Sequence, residues 1–313
     1  MAGNKRAGYK LATYRTSEGP RAGIVIGTEV FDAARLTGKA TYATVAGILA
    51  DWKAAEGALR KATAGAVKSR AKRQPLAKTK LLAPVSHPPT IFCAGANYAD
   101  HAAAMARKQG MPEPADPHEQ GLKPWHFIKA ARTLADPDAT IKATHYAKEL
   151  DWEIELAAVI GRPAKDVPKE KALSYVAGYT AANDLSARDR GRRHGVEATS
   201  FFKMDWSKHK SFDGSCPLGP WIVPASDVAD PQNLDLKLWV NGELKQDSNT
   251  HKMLFTLAEQ IEQLSINMTL HPGDLILTGT PAGTGAESGE FLNAGDEVKI
   301  WIEGIGEFSN RIA

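Results

Sequence analysis

The stretch 150–161, LDWEIELAAVIG, constrains the fold of this 313-residue chain more than any other. Polar and apolar residues alternate over its first half, which predicts a β-strand, because successive strand side chains point to opposite faces. Asp151, Glu153 and Glu155 then share one face. Residues 156–160 are apolar on both faces, which is typical of a strand buried inside a sheet. The sequence therefore predicts a row of carboxylates that leads directly into a core strand.

This row of carboxylates has two interpretations. Buried carboxylates without partners are unfavourable, so they are normally neutralised or bound to a cation. The alternative is an exposed acidic strand end, which needs no ligand. The stretch by itself favours neither, and the rest of the chain has to decide between a metal site and a solvated strand end.

The composition is that of an ordinary globular chain. Apolar residues make up 43% and charged residues 24%, so a sizeable core can be buried. The net charge of +3 is too small to predict nucleic-acid or membrane partners. Cys93 and Cys216 fit neither a disulfide framework nor a zinc site. With no apolar segment of membrane-spanning or signal-peptide type, we expect a reducing, cytoplasmic location.

Residues 1–83 are predicted to form a small N-terminal α+β domain. Short strand-like runs separated by Gly-rich turns over residues 9–35 predict an antiparallel meander, and a helical period follows it. Residues 66–80 hold six basic residues and no acid. They favour a solvated linker over a nucleic-acid patch, because neither interleaved aromatic residues nor a binding motif accompanies them. We place the domain boundary near residues 84–89.

Residues 84–313 are predicted to form a second domain with many strands and few helices. A short alanine-rich helix is expected at about 101–109, before a glycine that stops it. A second helix is expected from Pro168 to Gly178. Asn241-Gly242 predicts a type I′ hairpin turn between two strands.

Five motifs follow one another in this second domain. They are GANYADH at 95–101, DWEIEL at 151–156, NDLSARD at 183–189, KSFD at 210–213 with a later Gly-Pro, and LTGTP at 277–281. In this order they closely resemble the fumarylacetoacetate hydrolase superfamily, over roughly residues 81–313. The resemblance implies an α+β, mostly β fold, in which the C-terminal domain is a rolled mixed β-sandwich. It also implies a homodimer.

The resemblance implies a divalent metal held by Glu153, Glu155 and Asp184. The chemistry agrees, because carboxylates are hard oxygen ligands that suit Mg²⁺ or Mn²⁺ better than zinc; Ca²⁺ also occurs in the family. Two glutamates at strand spacing reach one ion from one face. Three protein ligands leave about three of six octahedral positions free. A 2-oxo acid can therefore chelate through its carboxylate and keto oxygens.

Three further residues are expected to act beside the metal. Lys210 would offset the negative charge of the ligand set and stabilise an enolate; its alternative, a surface salt bridge, is less favoured inside the motif. His101 lies in the first turn of a helix, which would keep it neutral as a general base. Thr280 resembles the family residue that binds a substrate carboxylate through its hydroxyl and backbone amide; ordinary turn chemistry is the alternative.

Arg188 and Lys129 match family positions in or near the substrate pocket. Each residue has two interpretations that the sequence does not separate. One is an ion pair with a substrate carboxylate. The other is a structural ion pair with Asp189 or Glu149.

One family feature is missing. In many family hydrolases a glutamate three residues after the lid histidine completes a water-activating dyad, because such a carboxylate fixes the histidine tautomer. Here that position is Ala104. The long loop that follows carries Glu113 and Glu119, and either is a candidate replacement.

The resemblance predicts a metal-dependent hydrolase that cleaves a C–C bond of an acylpyruvate or related β-diketo acid, with substrates like fumarylacetoacetate or fumarylpyruvate. Family members of the 2-hydroxyhepta-2,4-diene-1,7-dioate isomerase type suggest the main alternative. In that alternative an isomerase, tautomerase or decarboxylase acts on a 2-oxo acid through the same enolate. A metal-binding family member without catalysis is the third interpretation.

Overall fold

The computed structural model describes residues 8–66, 71–197 and 199–313. The first seven residues, and Lys68 and Arg70 of the predicted linker, lie outside this description. The strands are β1 (Lys10–Thr16), β2 (Gly19–Ile26), β3 (Glu29–Asp32), β4 (Arg73–Pro75), β5 (Leu81–Leu82), β6 (Ile91–Ala94), β7 (His126–Lys129), β8 (Leu134–Ala135), β9 (Thr140–Ile141), β10 (Leu150–Asp151), β11 (Ile154–Ile160), β12 (Val176–Asn183), β13 (Ser186–Ala187), β14 (Cys216–Pro224), β15 (Asp235–Val240), β16 (Glu243–Asn249), β17 (Leu275–Leu277), β18 (Glu297–Ile302) and β19 (Gly306–Ile312). The helices are α1 (Ala33–Thr37), α2 (Val45–Ala50), α3 (Trp52–Gly65), α4 (Ala99–Lys108), α5 (Lys169–Ala172), α6 (Arg188–Gly191), α7 (Trp206–Lys210), α8 (Leu257–Asn267) and α9 (Gly285–Ser288).

Strand β11 lies inside the largest sheet and has a core on each face. The strand order along this sheet is β4-β3-β2-β1-β14-β12-β11-β17-β6-β7. Every residue of β11 is buried. Leu156, Ala158 and Ile160 pack into one core, whereas Ala157 and Val159 pack into a second. The two-sided apolar run is thus confirmed as a central strand, because its alternate side chains serve two cores.

A second sheet covers the first of these cores. Its order is β16-β15-β18-β19-β9. In β15 and β18 fully buried residues alternate with more exposed ones, so one face of the sheet turns inward. Leu236, Leu238 and Ile300 supply that inner face. Two mixed sheets that face each other across one core form the predicted, mostly β sandwich.

The N-terminal strands extend the large sheet. Strands β1 to β3 form the predicted antiparallel meander, and Leu11 of β1 lies opposite Ile222 of β14. Helices α2 and α3 then cover the second core with Ile48, Leu49 and Leu59. The division of the chain at residue 83 stays a prediction, as do the homodimer and the cytoplasmic location. In the described ranges, no helix has the length and apolarity needed to cross a membrane.

Two expected elements differ from the structure. The strand expected over 150–161 is interrupted, because β10 ends at Asp151 and pairs with β13, while β11 begins at Ile154. The helix expected to end at Gly178 already ends at Ala172 as α5, and Gly178 lies within β12. A β-carbon at Gly178 would lie 2.3 Å from the carbonyl oxygen of Val223 on β14. The glycine is therefore a close-approach position and not a helix stop.

Other local expectations are met. Helix α4 covers the alanine-rich segment after GANYADH. Asn241 and Gly242 have φ angles of 51° and 82° and join β15 to β16, as a type I′ turn requires.

The close approach of β12 to β14 predicts a sharp cost for Gly178→Ala. We expect its free energy of unfolding to fall by about 1–3 kcal/mol, the usual effect of inserting a methyl group into a close-packed site. Gly57→Ala is the matched control. Gly57 lies inside α3 with no atom within 4 Å of its hypothetical β-carbon, so stability should rise by about 0.5–1 kcal/mol. Urea unfolding followed by circular dichroism measures the stability of both variants. A wild-type midpoint for Gly178→Ala would contradict the close approach of β14 to Gly178.

Candidate functional site

The predicted metal ligands converge where β11 begins and β12 ends. Strands β11 and β12 are antiparallel, with Glu155 opposite Ala182, so the start of one lies beside the end of the other. The backbone N–H of Asp184 donates to the carbonyl of Glu153 at 2.8 Å, which holds the break after β10 against the end of β12. One side-chain oxygen from each of Glu153, Glu155 and Asp184 lies within 4.8 Å of the others, and all three residues are buried.

Three cations surround two of these carboxylates. The Lys210 Nζ lies 2.7 Å from Glu153 Oε2 and 2.6 Å from Asp184 Oδ2. Lys129 Nζ lies 2.5 Å from Asp184 Oδ1, and the Arg188 guanidinium contacts Glu153. Burial would raise the pKa of Glu153, but Lys210 and Arg188 outweigh it and lower that pKa to about 2. The carboxylate of Glu153 is therefore held ionised.

Glu155 has no such cation. Burial, followed by the charges of Asp184 and Glu153, raises its pKa well above the ordinary value. Its Oε2 accepts one hydrogen bond, from the Gly279 N–H at 2.7 Å, and no lysine or arginine of residues 8–66, 71–197 and 199–313 forms an ion pair with it. An all-oxygen donor set with one uncompensated buried carboxylate fits a hard divalent cation. A buried acidic triad that can bind a divalent metal is thus present.

His101 is paired with a carboxylate that sequence reasoning missed. Its Nδ1 lies 2.5 Å from Oε1 of Glu287, which belongs to α9. The Oε2 atom of Glu287 accepts the N–H of Gly283 at 2.8 Å, so the carboxylate is itself fixed. The two candidate replacements, Glu113 and Glu119, are both exposed. The partner of His101 is therefore Glu287 and not a residue of the loop that was expected to supply it. In the sequence, Glu287 is marked only by its position shortly after the LTGTP motif.

Asp151 does not join the metal ligands, because the break after β10 turns it elsewhere. Its Oδ1 accepts the N–H of Gly285 at 2.6 Å, and its Oδ2 accepts the N–H of Ala286 at 2.9 Å. Oδ2 also accepts a hydrogen bond from Arg188 Nε at 2.9 Å. Arg188 in turn contacts Glu153. Asp151 therefore links the helix that carries Glu287 to a candidate metal ligand.

Thr280 is oriented by a second residue that the sequence did not reveal. Gln246, on β16, is fully buried, and its Nε2 donates to Thr280 Oγ1 and to the Pro281 carbonyl, both at 2.9 Å. Its Oε1 accepts the Ile154 N–H at 3.0 Å, which ties Gln246 to the start of β11. Because Thr280 accepts this hydrogen bond, its own hydroxyl proton is free to point into the site.

One cavity of about 160 Å³ collects most of the predicted residues. The predicted residues that line it are Glu153, Glu155, Asp184, His101, Arg188, Lys210 and Thr280. Lys129 is fully buried against Asp184 and is not among the lining residues. Of the two interpretations left open for Lys129 and Arg188, the structure places both in ion pairs within the protein. Lys129 pairs with Asp184, and Arg188 pairs with Asp151 and Glu153. The expected partners Asp189 and Glu149 are not the ones found.

Comparison with known proteins gives consistent matches. The model of the fumarylacetoacetate (FAA) hydrolase C-terminal family matches residues 90–313. The mitochondrial oxaloacetate tautomerase FAHD2B of Bos taurus is 42% identical over 241 residues, which cover 76% of this chain and 71% of that protein. A maleylpyruvate hydrolase from Sphingobium sp. SYK-6, solved with manganese(II) ion and pyruvate, is 30% identical with a TM-score of 0.72, over 96% of this chain and 98% of that one.

A third relative has another activity. The 2-hydroxyhepta-2,4-diene-1,7-dioate isomerase from Mycobacterium marinum is 30% identical with a TM-score of 0.68, over 97% of this chain and 98% of that one. The matches thus include proteins named as a hydrolase, an isomerase and a tautomerase. From the family model and these relatives together, the chain belongs to the fumarylacetoacetate hydrolase family.

Proposed function

We propose that the protein is a divalent-metal-dependent hydrolase that cleaves a C–C bond of an acylpyruvate. The observation that carries this proposal is the pair of His101 and Glu287, because His101 lines the same cavity as the carboxylate triad and Glu287 holds its ring. Glu153, Glu155 and Asp184 would hold the divalent ion, which would polarise the 2-oxo group of the substrate as a Lewis acid.

His101 acts as the general base. Glu287 accepts the hydrogen bond from the protonated Nδ1, which leaves the lone pair on Nε2 to take a proton from water. Hydroxide then adds to the distal carbonyl carbon of the substrate. The bond from this carbon to C3 of the pyruvate part breaks, and its electron pair remains on C3 as an enolate. The proton held by His101 returns to C3, so the products are a carboxylic acid and pyruvate.

Two further side chains act on the substrate: Thr280 binds its carboxylate, and Lys210 stabilises the enolate. The free hydroxyl proton of Thr280 donates to the substrate carboxylate, while Gln246 fixes the orientation of the side chain. The Lys210 ammonium is held at the site by Glu153 and Asp184. Burial would lower the pKa of Lys210, but these carboxylates raise it above its usual range. Lys210 therefore remains charged and stabilises the enolate as it develops.

Tautomerisation of oxaloacetate is the second candidate. It is favoured by the 42% identity to a mitochondrial oxaloacetate tautomerase. The same residues would serve, because His101 can carry a proton between C3 and the enol oxygen without any attack by water.

A substrate panel separates the two candidates. Acetylpyruvate, fumarylpyruvate and enol-oxaloacetate would be incubated with the Mn²⁺-loaded and the chelator-treated protein. Hydrolysis releases pyruvate and an acid in equal amounts, whereas tautomerisation removes the enol absorbance without releasing pyruvate. We expect metal-dependent pyruvate release from at least one acylpyruvate. Loss of oxaloacetate enol alone would replace the hydrolase by the tautomerase, and inactivity on all three would contradict both.

Glu287→Gln tests the dyad. Glutamine keeps the shape but no longer stabilises the imidazolium, so kcat for the acylpyruvate should fall by about 10²-fold or more, within the usual range for general-base catalysis. Mn²⁺ affinity, measured by calorimetry, should stay the same. Glu119→Gln is the matched control: it removes an exposed carboxylate of the loop and should leave kcat unchanged. Equal kcat values for both variants would remove Glu287 from the mechanism.

Metal binding should depend on Glu155 and on pH. Because burial raises the pKa of Glu155, the metal-free carboxyl keeps its proton to higher pH, and an arriving ion has to displace it. Mn²⁺ affinity should therefore increase as the pH rises, with a proton released on binding. Glu155→Gln should weaken Mn²⁺ binding by about 100-fold or more and abolish the proton release.

Calorimetry in buffers of different ionisation enthalpy measures both quantities. Glu149→Gln, which changes an exposed carboxylate outside the triad, is the control. Wild-type Mn²⁺ affinity in Glu155→Gln would exclude this residue as a ligand.

A further inference from the structure

His209 is a buried histidine without hydrogen-bond partners. It lies in α7 beside Lys210 and is 6% exposed. Neither Nδ1 nor Nε2 has a partner in the part of the chain that the structure describes. A buried polar group normally forms a hydrogen bond, because its desolvation is otherwise uncompensated. The imidazole therefore points to a ligand that the protein alone does not supply.

The ring stands between two cavities. His209 lines the 160 Å³ cavity that holds the carboxylate triad. It also lines an outer cavity of about 910 Å³. Arg188 is the other residue shared by both, but its guanidinium is engaged by Asp151 and Glu153. His209 is thus the polar side chain at this junction whose ring nitrogens, both buried, have no hydrogen-bond partner among the described residues.

Two neighbouring residues pack against the ring of His209. The ring lies on Trp206, with centroids 5.5 Å apart. Gly191 also lies close to it, because a β-carbon there would approach Cγ of His209 to 2.8 Å. Burial, with the charges of Lys210 and Arg188, lowers the pKa of His209 to about 2. The neutral ring therefore carries one donor and one acceptor.

The outer cavity is positively charged. Its lining includes Lys108, Arg192 and Lys203, besides the shared Arg188, against the single acid Glu149. Lys108 donates to the carbonyl oxygen of Ala286 in α9. Arg192 and Lys203 have no ion-pair partner among the described residues. Such a cavity favours an anionic group over a neutral one.

We propose that His209 is a specificity-determining residue that binds the acyl chain of the substrate where it passes from the inner cavity to the outer one. The preferred substrates are 2-oxo acids whose chain ends in a carboxylate. The ring of His209, whose nitrogens are buried without a ligand, turns to donate to that end of the chain, and Arg192 and Lys203 attract its charge. This inference rests on the proposed function for the orientation of the substrate, with its 2-oxo acid end at the triad.

Binding to the full-length, Mn²⁺-loaded protein tests this without turnover. The probes are 2-oxoadipate, which ends in a carboxylate, 2-oxohexanoate, which has the same chain length without it, and pyruvate. Wild type should bind 2-oxoadipate about tenfold more tightly than 2-oxohexanoate. His209→Leu should remove most of this preference, because the donor is gone, while pyruvate affinity changes by less than about threefold. Lys203→Gln should reduce the preference in the same direction.

Two further variants distinguish the loss of the His209 hydrogen bond from a general disturbance of the fold. His209→Asn keeps a donor and an acceptor and should recover part of the preference. His194→Leu is the matched control, since His194 is an exposed histidine of the same segment and lines neither cavity. Its affinities should equal those of wild type. An unchanged preference in His209→Leu, or an equal loss for all three probes, would overturn the proposal.

The outcome is independent of the reaction catalysed. If the protein releases no pyruvate from acylpyruvates but retains the His209-dependent preference, the hydrolase proposal fails and the binding role stands. If acylpyruvates are hydrolysed but the preference does not depend on His209, the reverse holds. Steady-state kinetics add a second readout for an active enzyme: His209→Leu should raise KM for fumarylpyruvate by about tenfold and leave KM for acetylpyruvate nearly unchanged.

Discussion

The balance of buried charge at the start of β11 is the constraint on which the rest of the structure depends. Glu153, Glu155 and Asp184 are buried, and one side-chain oxygen of each lies within 4.8 Å of the others. Lys210, Lys129 and Arg188 are brought to them from three separate elements. Breaking a buried ion pair by removing one partner costs about 3–5 kcal/mol, so the cations that pair with Glu153 and Asp184 stabilise the fold as well as the site. A site for a divalent ion and a stable fold are therefore parts of one electrostatic arrangement.

The interruption between β10 and β11 gives the carboxylates different roles. In a regular strand Asp151, Glu153 and Glu155 would all face one side and repel one another. The break instead turns Asp151 to the backbone N–H groups that open α9. Trp152 is buried in between, with its indole N–H on the Gly283 carbonyl at 2.9 Å. The short break between β10 and β11 thus separates Asp151 from the candidate metal ligands Glu153 and Glu155. Arg188 still links the two groups, because it contacts both Asp151 and Glu153.

The site could be predicted from the sequence where its chemistry is local. Glu153, Glu155 and Asp184 stand in short ordered motifs, and the central strand was evident from its unbroken apolar run. Glu287, Gln246 and His209 could not be found in this way. Glu287 and His101 are 186 positions apart in the sequence. The role of His209 depends on the lack of hydrogen-bond partners among the described residues, which a sequence does not show. Gly178 was misjudged because a glycine at the end of a predicted helix and a glycine pressed against a neighbouring strand look alike in sequence; only the close approach of the antiparallel β14 distinguishes them.

The two-sided burial of β11 also has a consequence for self-association. Ala157 and Val159 face the core that α2 and α3 cover, only a few residues from Glu155. Strand β1 meanwhile occupies the edge of β14. Without these N-terminal elements the strand that carries the ligands would present an apolar face, and its sheet an open row of N–H and C=O groups. Such surfaces recruit other chains, so removal of the N-terminal elements would favour self-association of the remaining chain, which carries the candidate metal ligands.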